Sequence, residues 1–257
     1  MGLARRRAER EAALAEWIAG KPSRADYARA LADIQAVVAE TNAARRENFW
    51  YNNATRPQLL SAAQQLYRLA VEREKPDAER EPGYQDRDLN FIRQRMEIID
   101  RRYDAVVDRA EWLFFLERYM DEPVEQRVAE LDVALGLGRS FDAGSAGRLI
   151  DRYYADTELD DVETRLAWMD RSRAEFESSE DPFMQLAVSL YPHEMAIEED
   201  NKTRAGRMQQ LRPLYMDAII AWSEDQGRAV YPDANNSLRV TYCTVRGGSP
   251  RDGLVYE

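Results

Sequence analysis

Apolar residues recur along most of this chain at steps of three and four, the spacing that places side chains on one face of an α-helix. Leu14, Trp17 and Ile18 mark a first helix from about Leu3 to Ile18, with Gly20 as its stop. After Pro22-Ser23, the positions Tyr27, Leu31, Ile34 and Val38 predict a second helix that continues into Asn48-Phe49-Trp50-Tyr51-Asn52-Asn53. Pro57 opens a third, with Leu59, Ala63, Leu66 and Ala70 as its apolar line. A charged connector with two prolines, Lys75 to Gly83, leads to one long predicted helix through Leu89, Ile92, Met96, Ile99, Tyr103, Val106, Ala110 and Leu113 to about Tyr119. Pro123 interrupts it. Val128, Leu131 and Leu135 then predict a shorter helix ending at Gly136-Leu137-Gly138, and two or three short helices are expected between Asp142 and Glu177. Asp181 to Asp225 reads as helix again, with a kink or break expected near Pro192 and Pro213, since a proline removes a backbone donor and clashes one turn back.

The period changes only near the C-terminus. Leu238, Val240 and Tyr242 alternate with Arg239, Thr241 and Cys243, the two-residue repeat of a half-buried strand, just after the turn formers Pro232, Asp233 and Asn235. A lone strand leaves its backbone groups unpaired, and no second convincing strand is visible. The expectation is therefore an all-α protein, an irregular multi-helix bundle over residues 1–230. The segment 231–257 begins a sheet whose other strands lie elsewhere, so the chain reads as a piece of a longer protein.

Composition narrows the partners. A content of 44% hydrophobic and 32% charged residues is that of a helix-rich globular chain, and no apolar run approaches the ~20 residues of a membrane span. The formal net charge of −11 disfavours nucleic acid and anionic membranes and favours a cationic ligand such as a protonated amine. One cysteine, Cys243, permits no internal disulfide and reads as a packed small side chain. Arg5-Arg6-Arg7 is followed by charged, alanine-rich helix rather than an apolar stretch, so no signal peptide is read there.

Candidate chemistry is sparse. His193-Glu194 begins like a zinc-protease helix, but the second histidine would stand at Ile197, and a Glu-x-x-His pair would need a glutamate at Leu190. No metal or cofactor site follows, and His193 reads as a surface or helix-start residue. Ser145 lies among glycines with no strand before it and reads as part of a flexible connection, not a nucleophile. Glu198-Glu199-Asp200 reads as a solvated helix face. No catalytic residue is assigned. The cluster Asn48, Phe49, Trp50, Tyr51, Asn52 and Asn53 is more informative: amides beside aromatics could make polar contacts against an apolar wall. Its plainer reading is core aromatics with asparagines ending a helix.

Three stretches bear on family. Tyr231 to Tyr242, continuing through Ser249-Pro250-Arg251-Asp252-Gly253, resembles the bacterial dipeptidyl-peptidase 7/11 family of serine exopeptidases. So do Glu199-Asp200-Asn201-Lys202-Thr203-Arg204-Ala205-Gly206-Arg207 and the connector Arg73 to Gly83. The resemblance implies a chymotrypsin-like double β-barrel carrying an inserted helical domain that caps the cleft. This chain looks like that cap plus the first strand of the return to the barrel, with the catalytic triad outside it. It further implies that a cap asparagine helps hold the substrate's α-amino group, with Asn52 first and then Asn48 or Asn53, while Trp50 and Tyr51 wall off longer substrates. The expected partners are peptides with a free N-terminus and the missing barrel. The resemblance also implies a periplasmic or cell-surface location and a homodimer for the full-length protein. Alone, the cap would be inert. The competing reading is an independent helical interaction module whose grooves bind a partner helix.

Overall fold

A computed structural model describes residues 2–138, 143–228, 230, 248–251 and 254–256. Among them the chain forms α1 (Leu3–Ala19), α2 (Ala25–Ala54), α3 (Gln58–Glu72), α4 (Leu89–Arg102), α5 (Ala105–Met120), α6 (Ala129–Leu135), α7 (Ala143–Asp156), α8 (Val162–Trp168), α9 (Arg173–Glu177) and α10 (Pro182–Asp225). The fold is all-α, a multi-helix arrangement, as the three-and-four spacing implies. Two short strands follow, β1 (Gly248–Arg251) and β2 (Leu254–Tyr256), paired antiparallel with each other. This pair was not visible as alternation, because four- and three-residue strands are too short to display a period. The expected strand around Leu238, Val240 and Tyr242, and Cys243 with it, lies outside the described residues.

The chain divides into two compact units, Met1–Ala28 with Leu214–Glu257, and Arg29–Pro213, the boundaries falling within α2 and α10. In the first unit, Leu14 and Ile18 of α1 are buried together with Ala218 and Trp222 of α10. The Trp17 indole N–H donates to Asp225 Oδ2 at 2.7 Å. The Arg24 guanidinium lies 3.4 Å from the centroid of the Trp17 ring, a cation–π contact.

The second unit is built around α3. Leu59, Leu60, Ala63, Leu66 and Leu69 are fully buried there, against Ile92 and Met96 of α4, Trp112, Leu116 and Tyr119 of α5, and Phe183, Leu186 and Leu190 of α10. Each of the buried leucines contributes roughly 1.5–3 kcal/mol by leaving water. Pro57, preceding α3, has no side-chain acceptor for the first free amides of the helix. Asp108 of α5 takes that role: its carboxylate accepts from the Gln58 amide at 3.0 Å and 3.2 Å and from the Tyr154 hydroxyl at 2.7 Å. A cap from 50 residues away fixes α5 against the start of α3.

Several expectations need correction. The long helix over 89–119 is two helices, because Asp104 caps a new one, accepting from the Val106 and Val107 amides at 2.9 Å and 3.0 Å. The apolar line consequently shifts to Trp112, Leu116 and Tyr119, and Val106 is 76% exposed. In α2 the buried positions are Ala30, Val37, Tyr51 and Ala54, while Val38 is exposed. Of the kink or break expected at Pro192 and Pro213, no break occurs: both lie inside α10. Each costs about 3 kcal/mol of helix, which the packing of Phe183 to Leu190 on one side and Ala218 to Trp222 on the other offsets. Ser145 lies within α7, not in a connection, and its hydroxyl accepts from Arg148. Gly136 does end α6, in the left-handed region at φ 65° that a side chain would strain.

Candidate functional site

In the second unit, α2, α3 and α10 line an open pocket of about 690 Å³. Tyr51 and Asn52 at the end of α2, and Thr55 and Arg56 in the turn that follows it, line this space. Ser61 and Gln64 come from α3, and Glu194, Ile197, Glu198, Asn201, Lys202 and Ala205 from a single face of α10. Two hydrogen bonds tie the three helices at this point. The Tyr51 hydroxyl donates to Glu194 Oε1 at 3.1 Å, and the Gln64 amide donates to the same oxygen.

The charges around the cavity differ in how they are held. Glu198 accepts both guanidinium nitrogens of Arg68, Nη2 to Oε1 at 3.0 Å and Nη1 to Oε2. It also pairs with Lys202 at 2.7 Å, and Lys202 reaches Glu81 at 2.9 Å. The Arg68 hydrogen bond holds the Glu198 carboxyl down at about 2. Arg56 pairs with Glu111 at 3.2 Å. Glu194 makes no ion pair among the described residues. Burial pushes its carboxyl above the usual carboxylate range, against the lowering effect of Tyr51, Gln64 and the nearby positive charge of Arg68. The Tyr51 phenol is pushed up by burial and by the Glu194 charge, so it stays a donor.

Of the residues singled out in the sequence, Asn52 and Tyr51 lie on this cavity. Asn52 is exposed, and Tyr51 is buried with its hydroxyl on Glu194. Asn53 does not line it, and its amide donates back to the Phe49 carbonyl at 2.7 Å. Asn48 shares the Asn52 face of α2, four residues earlier, without reaching the cavity wall. Trp50 packs against the core and meets Phe49 edge-on.

His193 is not a surface residue. Its side chain is 10% exposed within α10, its ring centroid lies 4.8 Å from that of Tyr51, and Nδ1 stands 3.5 Å from Glu130. Its Nε2 is buried without a hydrogen-bond partner among the described residues. Neither neighbour is a serine or cysteine, so this histidine is not set up to activate a nucleophile. No cluster of metal-ligating side chains forms among the described residues. No described helix is long and apolar enough to cross a membrane.

Glu194, Gln64, Glu198 and Lys202 were not read from the sequence as site residues. The line Glu194, Glu198, Asn201, Lys202 keeps one helical face, but a polar face on a helix looks the same whether it meets solvent or a cavity. Glu198, expected in a solvated run, is instead half-buried between two cations, while Glu199 and Asp200 are exposed. The arrangement suits a ligand rich in N–H donors and positive charge: amide and carboxylate acceptors converge on a space large enough for a peptide end.

A family model described as Peptidase S46 matches residues 1–257. An Asp/Glu-specific dipeptidyl-peptidase of Shewanella putrefaciens is 40% identical over 227 residues, covering 88% of this chain and 30% of that protein. A protein of the same description from Porphyromonas gingivalis is 26% identical over 183 residues, 65% of this chain and 23% of its own length. Another, from Capnocytophaga gingivalis, is 47% identical over 47 residues. The chain thus spans less than a third of the length of these relatives.

Proposed function

The chain belongs to the peptidase S46 family, and from that premise we propose that it is the helical cap of a longer serine-type dipeptidyl peptidase. In this reading the cap closes one side of the cleft and Asn52 accepts a hydrogen bond from the substrate's free α-ammonium group. Fixing that group at a set distance from the reacting carbonyl makes the enzyme count two residues from the N-terminus and release dipeptides. The acyl-transfer chemistry, with its nucleophile and oxyanion-stabilising donors, belongs to parts of the protein outside this chain. The relatives are named for Asp/Glu specificity, so acidic side chains are the first preference to test.

The observation that supports the reading is the placement of Asn52 on the cavity wall, beside acceptors and away from the core. Asn48 and Asn53 are weaker choices, the latter because its amide is already engaged by its own helix. The test is Asn52→Ala in the full-length enzyme. We expect kcat/KM for dipeptidyl substrates to fall several-fold or more, roughly the worth of one hydrogen bond to a charged group. Unchanged kinetics would remove Asn52 from the site.

A further inference from the structure

We propose that a slot in the first unit, between α1 and the end of α10, binds the C-terminal residue of a peptide. Its free carboxylate would rest on Arg7 and Arg10, and its apolar side chain against Leu14, Ile219 and Trp222.

The slot follows from two helical faces. On α1, Arg7, Arg10, Glu11 and Leu14 share one side of the helix, and on α10 so do Tyr215, Ile219 and Trp222. Together they line a space of about 190 Å³. Leu14 and Trp222 are buried and Ile219 half-buried, which makes the base of the slot apolar, while Arg7, Arg10 and Glu11 are exposed at its rim. The Arg10 guanidinium stands 5.8 Å from the centroid of the Trp222 ring, so positive charge and apolar surface meet at one place.

Charge selects the ligand. The chain carries a formal net charge of −11, and nearby arginines have found acidic partners, Arg5 with Glu9 and Arg24 with Asp225. Arg7 and Arg10 meet no carboxylate among the described residues, and Glu11 on the same rim is within ion-pair distance of neither. Two guanidiniums against one carboxylate leave the rim net positive. A guanidinium presents a planar fork of N–H donors that matches the two oxygens of a carboxylate. A bare anion would leave the apolar base wet, and an uncharged apolar group would leave the guanidiniums unused. The last residue of a peptide supplies a carboxylate and a side chain on one carbon, and the space suits a single side chain, not a helix or strand. Membership of a peptidase family makes a peptide the source of that carboxylate. An enzyme that trims from the N-terminus leaves the C-terminus intact through every round, so this site would hold a substrate by its unchanging end. That use rests on the reading above; the binding does not.

The experiment titrates the full-length enzyme with N-acetyl-leucine, N-acetyl-leucinamide and isocaproate, followed by ligand-observed NMR. N-acetyl-leucine should bind saturably. The amide, which lacks the charge, should bind about tenfold more weakly or worse, the scale of hydrogen bonds to a charged group. Arg7→Gln and Arg10→Gln should each weaken N-acetyl-leucine several-fold, Glu11→Gln should tighten it, and added salt should weaken it. All three positions are exposed, so the variants keep the fold. No saturable binding, equal binding of acid and amide, or arginine variants that bind as the parent does would overturn the proposal. Isocaproate has the same branched chain and carboxylate without the peptide group, and its binding as tightly as N-acetyl-leucine would overturn the assignment to a peptide end. None of these results bears on Asn52, whose own variant tests the amine-anchoring reading.

Discussion

The Tyr51 hydroxyl donates to Glu194 Oε1 across 3.1 Å and 143 positions of sequence, joining the end of α2 to the middle of α10. The ring itself is packed, 4.8 Å from the imidazole of His193, so Tyr51→Phe removes the donor while keeping the shape. We expect a loss of about 1.5–3 kcal/mol in urea unfolding, the range for a hydrogen bond to a charged group. The Glu194 carboxyl should move further up, because this hydrogen bond is one of the effects holding it down. A stability equal to that of the parent protein would show that the bond contributes nothing.

Acid sensitivity should carry two opposite signs around the same cavity. Glu198 is held at about 2 against an ordinary value of 4.5, chiefly by the Arg68 hydrogen bond. Its contribution to stability is present above about 4.5 and is lost as pH falls toward about 2. Glu194 is shifted upward, so its contribution is present when the carboxyl is protonated and is lost as pH rises through the raised value. Urea unfolding across pH 2 to 5 should therefore be less steep in pH for Glu198→Gln than for the parent, with the difference largest at the upper end (a window set by roughly these carboxyl values). Parallel curves would mean that the Arg68 pair adds no net stability.

Arg165 makes a third case. Its side chain is fully buried on α8, with Nε on the Met96 carbonyl at 3.1 Å and Nη1 on the Leu159 and Asp160 carbonyls at 2.7 Å and 2.9 Å. Nη2 reaches Asp100. Arg165→Met keeps the stem but strands these acceptors, and should cost about 3–5 kcal/mol, the scale of breaking a buried charged network. Thermal unfolding of the variant chain is the check. A shift under 2 °C would be too small for that figure in a protein of this size.

The helices were legible because their signals are local. Proline and glycine punctuate them, as at Pro57 and Gly136, and the three-and-four step of Leu59, Ala63, Leu66 and Ala70 marks a face that is buried along its whole length. What misled was also local. Tyr103 and Val106 continue the helical spacing across the break, and only the Asp104 carboxylate turning back onto two amides starts the chain afresh. Pro192 and Pro213 break helices on their own, but here the segments beside each are held by core packing.

By itself the sequence determined the all-α character, the negative charge that suits a cationic ligand, and the family, whose motifs are read residue by residue. Asn52 was singled out only through the family resemblance, since the residues alone read more plainly as core aromatics beside asparagines that end a helix. Tertiary structure decided the rest. Glu194 and Glu198 stand four residues apart on one helical face and read alike in sequence. Folding puts the Arg68 guanidinium in direct contact with Glu198, beside Lys202, while the direct hydrogen bonds to Glu194 come from the neutral donors of Tyr51 and Gln64. A carboxylate's role is set by which groups share its burial, and the deciding ones here, Tyr51 for Glu194 and Arg68 for Glu198, come from more than a hundred positions away.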